Sequence, residues 1–136
     1  MRAVLDSSVW VAGSLSKSGA SHEVIFWGLK GSFEIIVSSK ILDECLAAFE
    51  KPYLKEKVTR SQRAALKKVL QQRVRQVSLE LKAVRDPEDD HVLAAALQWN
   101  ADYVVSLDYD LTDLKNYENI LLISPSHFLK ILRRAL

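Results

Sequence analysis

Acidic side chains stand directly after two of the predicted strands in this 136-residue sequence. Asp6 follows the short apolar run of residues 2–5, and Asp108 follows the run of residues 103–107. In open parallel α/β sheets, ligands bind beyond the carboxyl ends of the strands. We therefore expect these two carboxylates to meet at one edge of a sheet.

Two predicted helices carry further acids that could reach the same edge. One helix follows a strand at residues 33–37 and carries Asp43 and Glu44, and a second helix over residues 86–99 carries Asp90 near its start. Right-handed crossovers between parallel strands bring the first turns of such helices near the same sheet edge. Asp43 and Glu44 both flank the apolar stripe of their helix, so helical spacing alone does not distinguish them.

Asp90 carries the strongest signal among the acids of the second helix. It shares a helical face with Leu93 and Leu97, and a carboxylate on an apolar face needs a partner. Helix capping accounts for the other two acids, because Asp86 suits the N-cap position and Asp89 suits the capping box. The spacing therefore predicts that Asp90 points into the site.

Carboxylates gathered in one pocket repel one another unless a cation lies between them. Oxygen ligands suit Mg²⁺ or Mn²⁺, and such ions activate water and polarise phosphates. One of Asp108 and Asp110 is expected to cap a short helix, which leaves the other to face the ion. The acids together predict a metal site suited to phosphodiester hydrolysis.

The elements that must position these acids alternate between strand and helix. The predicted strands are residues 2–5, 33–37, 103–107 and 120–123, with a weak candidate at 79–82. The predicted helices are residues 21–29, 39–50, 61–77, 86–99 and 125–132, with Ser21 as the N-cap of the first. The strands are almost continuously apolar, which is typical of a parallel sheet covered on both faces. We expect a three-layer α/β/α sandwich in a single domain over residues 1–136.

The composition is that of an ordinary globular protein, with 49% apolar and 26% charged residues. The lone Cys45 rules out an internal disulfide and is expected in the core. No apolar run approaches the roughly 18 residues of a membrane span, and no signal-peptide pattern is present, so we expect a cytoplasmic protein. The net charge of +2 is too small to argue for nucleic acid by itself.

Four segments together resemble the PIN-domain nucleases, and most closely the VapC-like toxins of toxin–antitoxin pairs. The segments are residues 4–9, 38–44, 86–96 and 101–111, which correspond in order to the four acidic motifs of that family. The resemblance selects Glu44 over Asp43, and it selects Asp90 as the acid three residues before a leucine–alanine run. Ser106 stands where the family has Thr or Ser before its fourth acid.

The resemblance implies a PIN fold, dependence on Mg²⁺ or Mn²⁺, endoribonuclease activity, homodimers and neutralisation by a small antitoxin. The expected catalytic residues are Asp6, Glu44, Asp90 and Asp108, with Asp110 as a further candidate ligand. Ser7 and Ser106 are expected to orient these acids or their waters. Arg85 and Lys40 are candidates for binding substrate phosphates.

The basic segment over residues 51–75 has two interpretations, a solvated helix face or a contact surface for RNA or an antitoxin. His91 is expected to have a structural role, because it lies on a different helical face from Asp90.

The sequence departs from the family pattern at two positions. The first acid of the family is followed by Thr-Asn, so Ser7 keeps a hydroxyl but Ser8 lacks the amide. Leu107 stands where a glycine is often found. The sequence thus predicts a toxin that hydrolyses RNA phosphodiester bonds with a metal-activated water. The alternative, which the Ser8 departure favours, is a catalytically degraded PIN-like scaffold that binds RNA or supports assembly.

Overall fold

The computed structural model describes residues 1–81 and 87–135, without the side chains of residues 87 and 88. Its strands are β1 (Arg2–Leu5), β2 (Glu34–Ile36), β3 (Tyr103–Val105), β4 (Asn116–Tyr117) and β5 (Ile120–Ile123). Its helices are α1 (Ser7–Leu15), α2 (Ala20–Leu29), α3 (Ser39–Phe49), α4 (Pro52–Lys57), α5 (Arg60–Gln71), α6 (Pro87–Gln98), α7 (Tyr109–Thr112) and α8 (Pro125–Ala135).

The strands form one sheet in the order β2-β1-β3-β5-β4. The first four strands in this order are parallel, and β4 pairs antiparallel with β5 at the edge. β1 and β3 are central neighbours, with Val4 beside Val104 and Leu5 beside Val105, and these four side chains are fully buried. The prediction of a three-layer α/β/α fold with a central parallel sheet is confirmed, and the antiparallel edge strand β4 is an addition to it.

Helices pack on the sheet through apolar side chains. α6 contacts β1 and β3, and α2 contacts α8. The ring of Phe128 in α8 meets Phe33 edge-on at 4.9 Å between centroids and Tyr103 at 5.2 Å, so α8 is held against the sheet by aromatic contacts. Among the described residues, none of the helices combines the length and apolar character needed to cross a membrane.

α1 was not predicted, and it begins directly after the first acid. Its sequence, with two valines and a glycine, has low intrinsic helix propensity, and its apolar residues do not follow a helical period. Asp6 is the N-cap, and its carboxylate accepts a hydrogen bond from the Ser7 N–H at 2.8 Å. The cap and the burial of Val9 and Trp10 stabilise a helix that the apolar pattern does not reveal.

The middle of the chain differs most from expectation. α5 begins one residue early, after a capping box between Thr59 and Gln62, and ends at Gln71 instead of residue 77. Residues 79–81, the described part of the weak strand candidate, are not a strand. The chain instead makes one parallel bridge earlier, between Val37 and Val74.

Other helices and strands also differ from expectation, either in their presence or in where they begin and end. The unpredicted elements are α1, α4 and β4. α2 is capped at Gly19 instead of Ser21, and no side chain caps it. β3 ends at Val105, two residues earlier than predicted, so Ser106 lies beyond the strand.

Gly28 in α2 offers a test of how tightly the helices pack on the sheet. A Cβ at this position would lie 2.6 Å from Ile35 Cγ1 and 2.9 Å from Phe33 Cζ. We expect Gly28→Ala to lower the free energy of unfolding by about 1 kcal/mol or more, because overpacking outweighs the helix propensity gained. The measurement is urea unfolding followed by circular dichroism.

The control is Lys68→Ala on the exposed side of α5, which should change the free energy by about 0.5 kcal/mol or less. A Gly28→Ala protein as stable as the wild type would contradict the packing described for α2.

Candidate active site

An open cavity of about 460 Å³, here called the acidic pocket, lies beyond the carboxyl ends of β1 and β3. Its walls come from α1, α3, α6 and the turn after β3. The lining residues are Asp6, Ser7, Ser8, Val11, Ala12, Leu15, Glu44, Ala48, Asp89, His91 and Asp108. Three of the predicted catalytic acids therefore share one cavity, which is where the sheet-edge argument places them.

Asp6 is buried at the end of β1, and hydrogen bonds fix both of its carboxylate oxygens. The Ser7 N–H donates to Oδ1 at 2.8 Å, whereas the Ser7 hydroxyl lies 3.5 Å away. Oδ2 accepts from Ser106 Oγ at 2.7 Å and from Ser8 Oγ at 3.0 Å. Ser106 thus has the predicted orienting contact, and Ser7 acts mainly through its backbone.

The Ser8 hydroxyl takes part in two hydrogen bonds. It donates to Asp6 and accepts the Leu107 N–H at 3.1 Å. The Ser106 hydroxyl likewise donates to Asp6 and accepts the Asp108 N–H at 2.9 Å. The departure at Ser8 therefore leaves the first acid fully oriented, and the two serines join α1 to the turn that carries Asp108.

Three carboxylates come close together, and two of them line the acidic pocket. Asp89, Asp108 and Asp110 each present an oxygen, and these oxygens lie within 4.8 Å of one another. Asp108 is also the N-cap of α7, where Oδ1 accepts the Asp110 N–H at 2.9 Å. The expectation that capping and pocket roles divide between Asp108 and Asp110 was wrong, because Asp108 has both.

Asp90 does not line the acidic pocket. It is buried in a neighbouring groove of about 380 Å³, together with Lys40, Leu81 and Ala94, and this groove is here called the Lys40 groove. The structure brings Asp89 to the pocket instead, one residue earlier on α6. Both residues are buried, and apolar surroundings extend around most of this helix. A role of Asp90 as a metal ligand stays a prediction.

The two predicted phosphate-binding residues have different outcomes. Lys40 lies in the first turn of α3, on the Lys40 groove and not on the acidic pocket. Arg85 lies outside the described residues, as does the predicted N-cap Asp86. A substrate contact of Lys40 stays a prediction.

Glu44 enters the pocket from α3, while the neighbouring Asp43 is exposed. The His91 Nε2 atom of α6 lies 3.1 Å from Glu44 Oε1. His91 thus belongs to the pocket wall, and the expected purely structural role did not foresee this contact. No sequence pattern indicates the contact between His91 and Glu44, because it joins two helices that are far apart along the chain.

Asp89 was detectable in principle. It has Val92, Leu93 and Ala96 at the three-, four- and seven-residue spacings, which is the same apolar pattern that selected Asp90. Assigning Asp89 to the capping box removed it from consideration. The structure makes it a pocket residue near the start of α6.

Electrostatics around the pocket are strongly negative at its inner wall. Cys45 is buried beside it, and burial, together with the charges of Asp6 and Glu44, raises the pKa of the Cys45 thiol to about 12. The lining residues that the structure describes include no lysine or arginine. A pocket of this charge is suited to a cation.

The residues present fit a hard divalent ion. The donors are all carboxylate oxygens, and three of them are already grouped within a span that one ion can bridge. Like charges at this spacing repel, and a bound cation removes the repulsion. Asp89, Asp108 and Asp110 would hold such an ion, and Asp6 and Glu44 line the same pocket as Asp89 and Asp108.

Comparisons with known proteins agree with this architecture. A family model described as PIN domain matches residues 2–110. A solved structure of VapBC2 from Rickettsia felis, bound to a DNA fragment from its promoter, matches with a TM-score of 0.60 and 17% identity. The match covers 91% of this chain and 98% of that one, and at this identity it shows the fold alone. No curated protein matches the sequence.

The hydroxyl contacts of Asp6 can be tested by stability. Ser106→Ala should lower the free energy of unfolding by about 1–3 kcal/mol, because it removes a donor from the buried Asp6 and an acceptor from the part-buried Asp108 N–H. Ser8→Ala should act in the same direction, with urea unfolding as the measurement.

Ser7→Ala is the matched control, since the contact between its hydroxyl and Asp6 is long at 3.5 Å and its backbone donor is kept. Equal losses for Ser7→Ala and Ser106→Ala would refute the described division of roles.

The reactivity of the Cys45 thiol measures how well this side chain is buried beside the pocket. At pH 8.5 the free thiol is about half ionised in an unfolded chain, but a pKa near 12 leaves roughly a thousandfold less thiolate in the folded protein. Iodoacetamide labelling measured by mass spectrometry should be at least about a hundredfold slower in buffer than in 8 M urea. Comparable rates would show that Cys45 is accessible in the native state.

Proposed function

Since this chain belongs to the PIN domain family, we propose that it is a divalent-metal-dependent endoribonuclease that hydrolyses RNA phosphodiester bonds. The observation that carries the proposal is the grouping of carboxylate oxygens of Asp89, Asp108 and Asp110 within 4.8 Å, at a pocket that Asp6 also lines. Carboxylates grouped in this way have a chemical use when a cation binds between them.

Mg²⁺ or Mn²⁺ bound there would supply charge neutralisation at the scissile phosphate and a more acidic water. The protein's part is to hold the carboxylates in place before the substrate arrives. Ser8 and Ser106 hold Asp6, and the cap of α7 holds Asp108. No serine or cysteine nucleophile is required, and Cys45 is unsuited to that role because it is buried.

RNA as the substrate rests on the resemblance to VapC-like toxins and not on the pocket itself. The same resemblance supports a toxin role, a small antitoxin partner and a homodimer. The fold match to a VapBC2 complex agrees with that assignment. The partners seen in that complex are those of VapBC2, and a similar partner for this chain is our inference.

The test is cleavage of a mixed panel of single-stranded RNA and DNA with Mg²⁺ or Mn²⁺. The wild type should cleave RNA, and EDTA should abolish the activity. Asp89→Asn should lower the rate by about a hundredfold or more, because it removes a charge from the three-carboxylate group. Asp90→Asn is the matched control and should retain most of the activity, because Asp90 lies in the Lys40 groove.

Loss of activity in Asp90→Asn but not in Asp89→Asn would reverse the assignment made from the pocket. A folded wild type that binds RNA but cleaves no member of the panel with either metal would support the scaffold alternative. Cleavage of DNA in preference to RNA would refute the substrate class.

A further inference from the structure

His91 forms a wall between two cavities. It lines both the acidic pocket and the Lys40 groove, and only 12% of its side chain is exposed. Its Nε2 atom lies 3.1 Å from Glu44 Oε1, so the ring reaches across from α6 to α3. A ring held in this way cannot turn freely, and its polar contact is directed at one particular acid of the pocket.

Glu44 needs such a contact more than the other acids of the pocket. Asp6 and Asp108 are held by hydrogen bonds to nearby backbone and hydroxyl groups. Within the described parts of the chain, Glu44 Oε1 is buried and makes no well-aligned hydrogen bond, which leaves the His91 approach as its polar contact. A glutamate has three side-chain torsions, so without a partner its carboxylate would be poorly oriented.

The contact also defines the position of the ring proton. A carboxylate only accepts hydrogen bonds, so the approach is attractive when Nε2 carries the proton. Nδ1 is buried and has no hydrogen-bond partner among residues 1–81 and 87–135, which favours a bare nitrogen at that position.

We propose that His91 is a positioning residue that orients Glu44 toward a cation in the acidic pocket. His91 approaches the buried Oε1, so the 37% of the Glu44 side chain that is exposed lies on its other atoms. Oε2 would then be the oxygen that Glu44 offers to an ion. Hydrogen-bond partners of ligating carboxylates typically change metal affinity by about 10–100-fold. This inference rests on the proposed metal-dependent function.

The experiment measures Mn²⁺ binding to the full chain by isothermal titration calorimetry, with no nucleic acid present. His91→Phe keeps a ring but removes the donor, and it should weaken Mn²⁺ binding by about tenfold or more. His91→Gln keeps a donor in the place of Nε2 and should stay within about threefold of the wild type. Circular dichroism confirms the fold of each variant, and His91→Leu replaces His91→Phe if the larger ring is not tolerated.

A double-mutant comparison separates positioning from packing. Glu44→Gln should weaken binding by itself, and adding His91→Phe to it should cost less than about twofold more, because the two residues act through one contact. Equal losses in the presence and absence of Glu44 would overturn the proposal, and so would wild-type affinity in His91→Phe. A folded wild type that binds no Mn²⁺ would instead refute the metal-dependent function, and the His91 proposal with it.

Discussion

One carboxylate oxygen, Asp6 Oδ2, joins two parts of the chain that lie 100 residues apart. It accepts from Ser106, which follows β3, and from Ser8 in the first turn of α1. The same two hydroxyls accept the N–H groups of Asp108 and Leu107. This set of contacts fixes the start of α1 and the turn before α7 relative to the ends of β1 and β3. The position of the pocket depends on it, since the other acids come from helices that pack around this edge.

The sequence was sufficient to predict where the two acids that follow strands would lie. Buried parallel strands are continuous apolar runs, and an acid directly after such a run must emerge at the carboxyl edge of the sheet. Asp6 and Asp108 were found in this way, and the neighbouring order of β1 and β3 brings them together. The choice of Glu44 over the exposed Asp43 came from the resemblance to PIN-domain nucleases, not from helical spacing.

Helical spacing could not show which acid of α6 lines the acidic pocket. A helix with one buried face shows which residue points inward, but residues 92–96 of α6 are all buried. Asp89 and Asp90 therefore have equally apolar neighbours, and only the positions of α3 and of the segment at residues 79–81 place them in separate cavities. The contact of His91 with Glu44 was hidden for the same reason, because it depends on how two distant helices pack. The missed helix α1 depends on its cap and on burial, and neither appears as an apolar period.

The starts of α1 and α6 both face the acidic pocket, with Asp6 as the N-cap of α1 and Asp89 in the first turn of α6. Peptide dipoles give a helix N-terminus about half a positive charge. The backbone therefore supplies the positive field that the described lining side chains, which include no lysine or arginine, do not supply. Backbone dipoles do not titrate, so this contribution to the field of the pocket is the same at every pH at which the chain is folded.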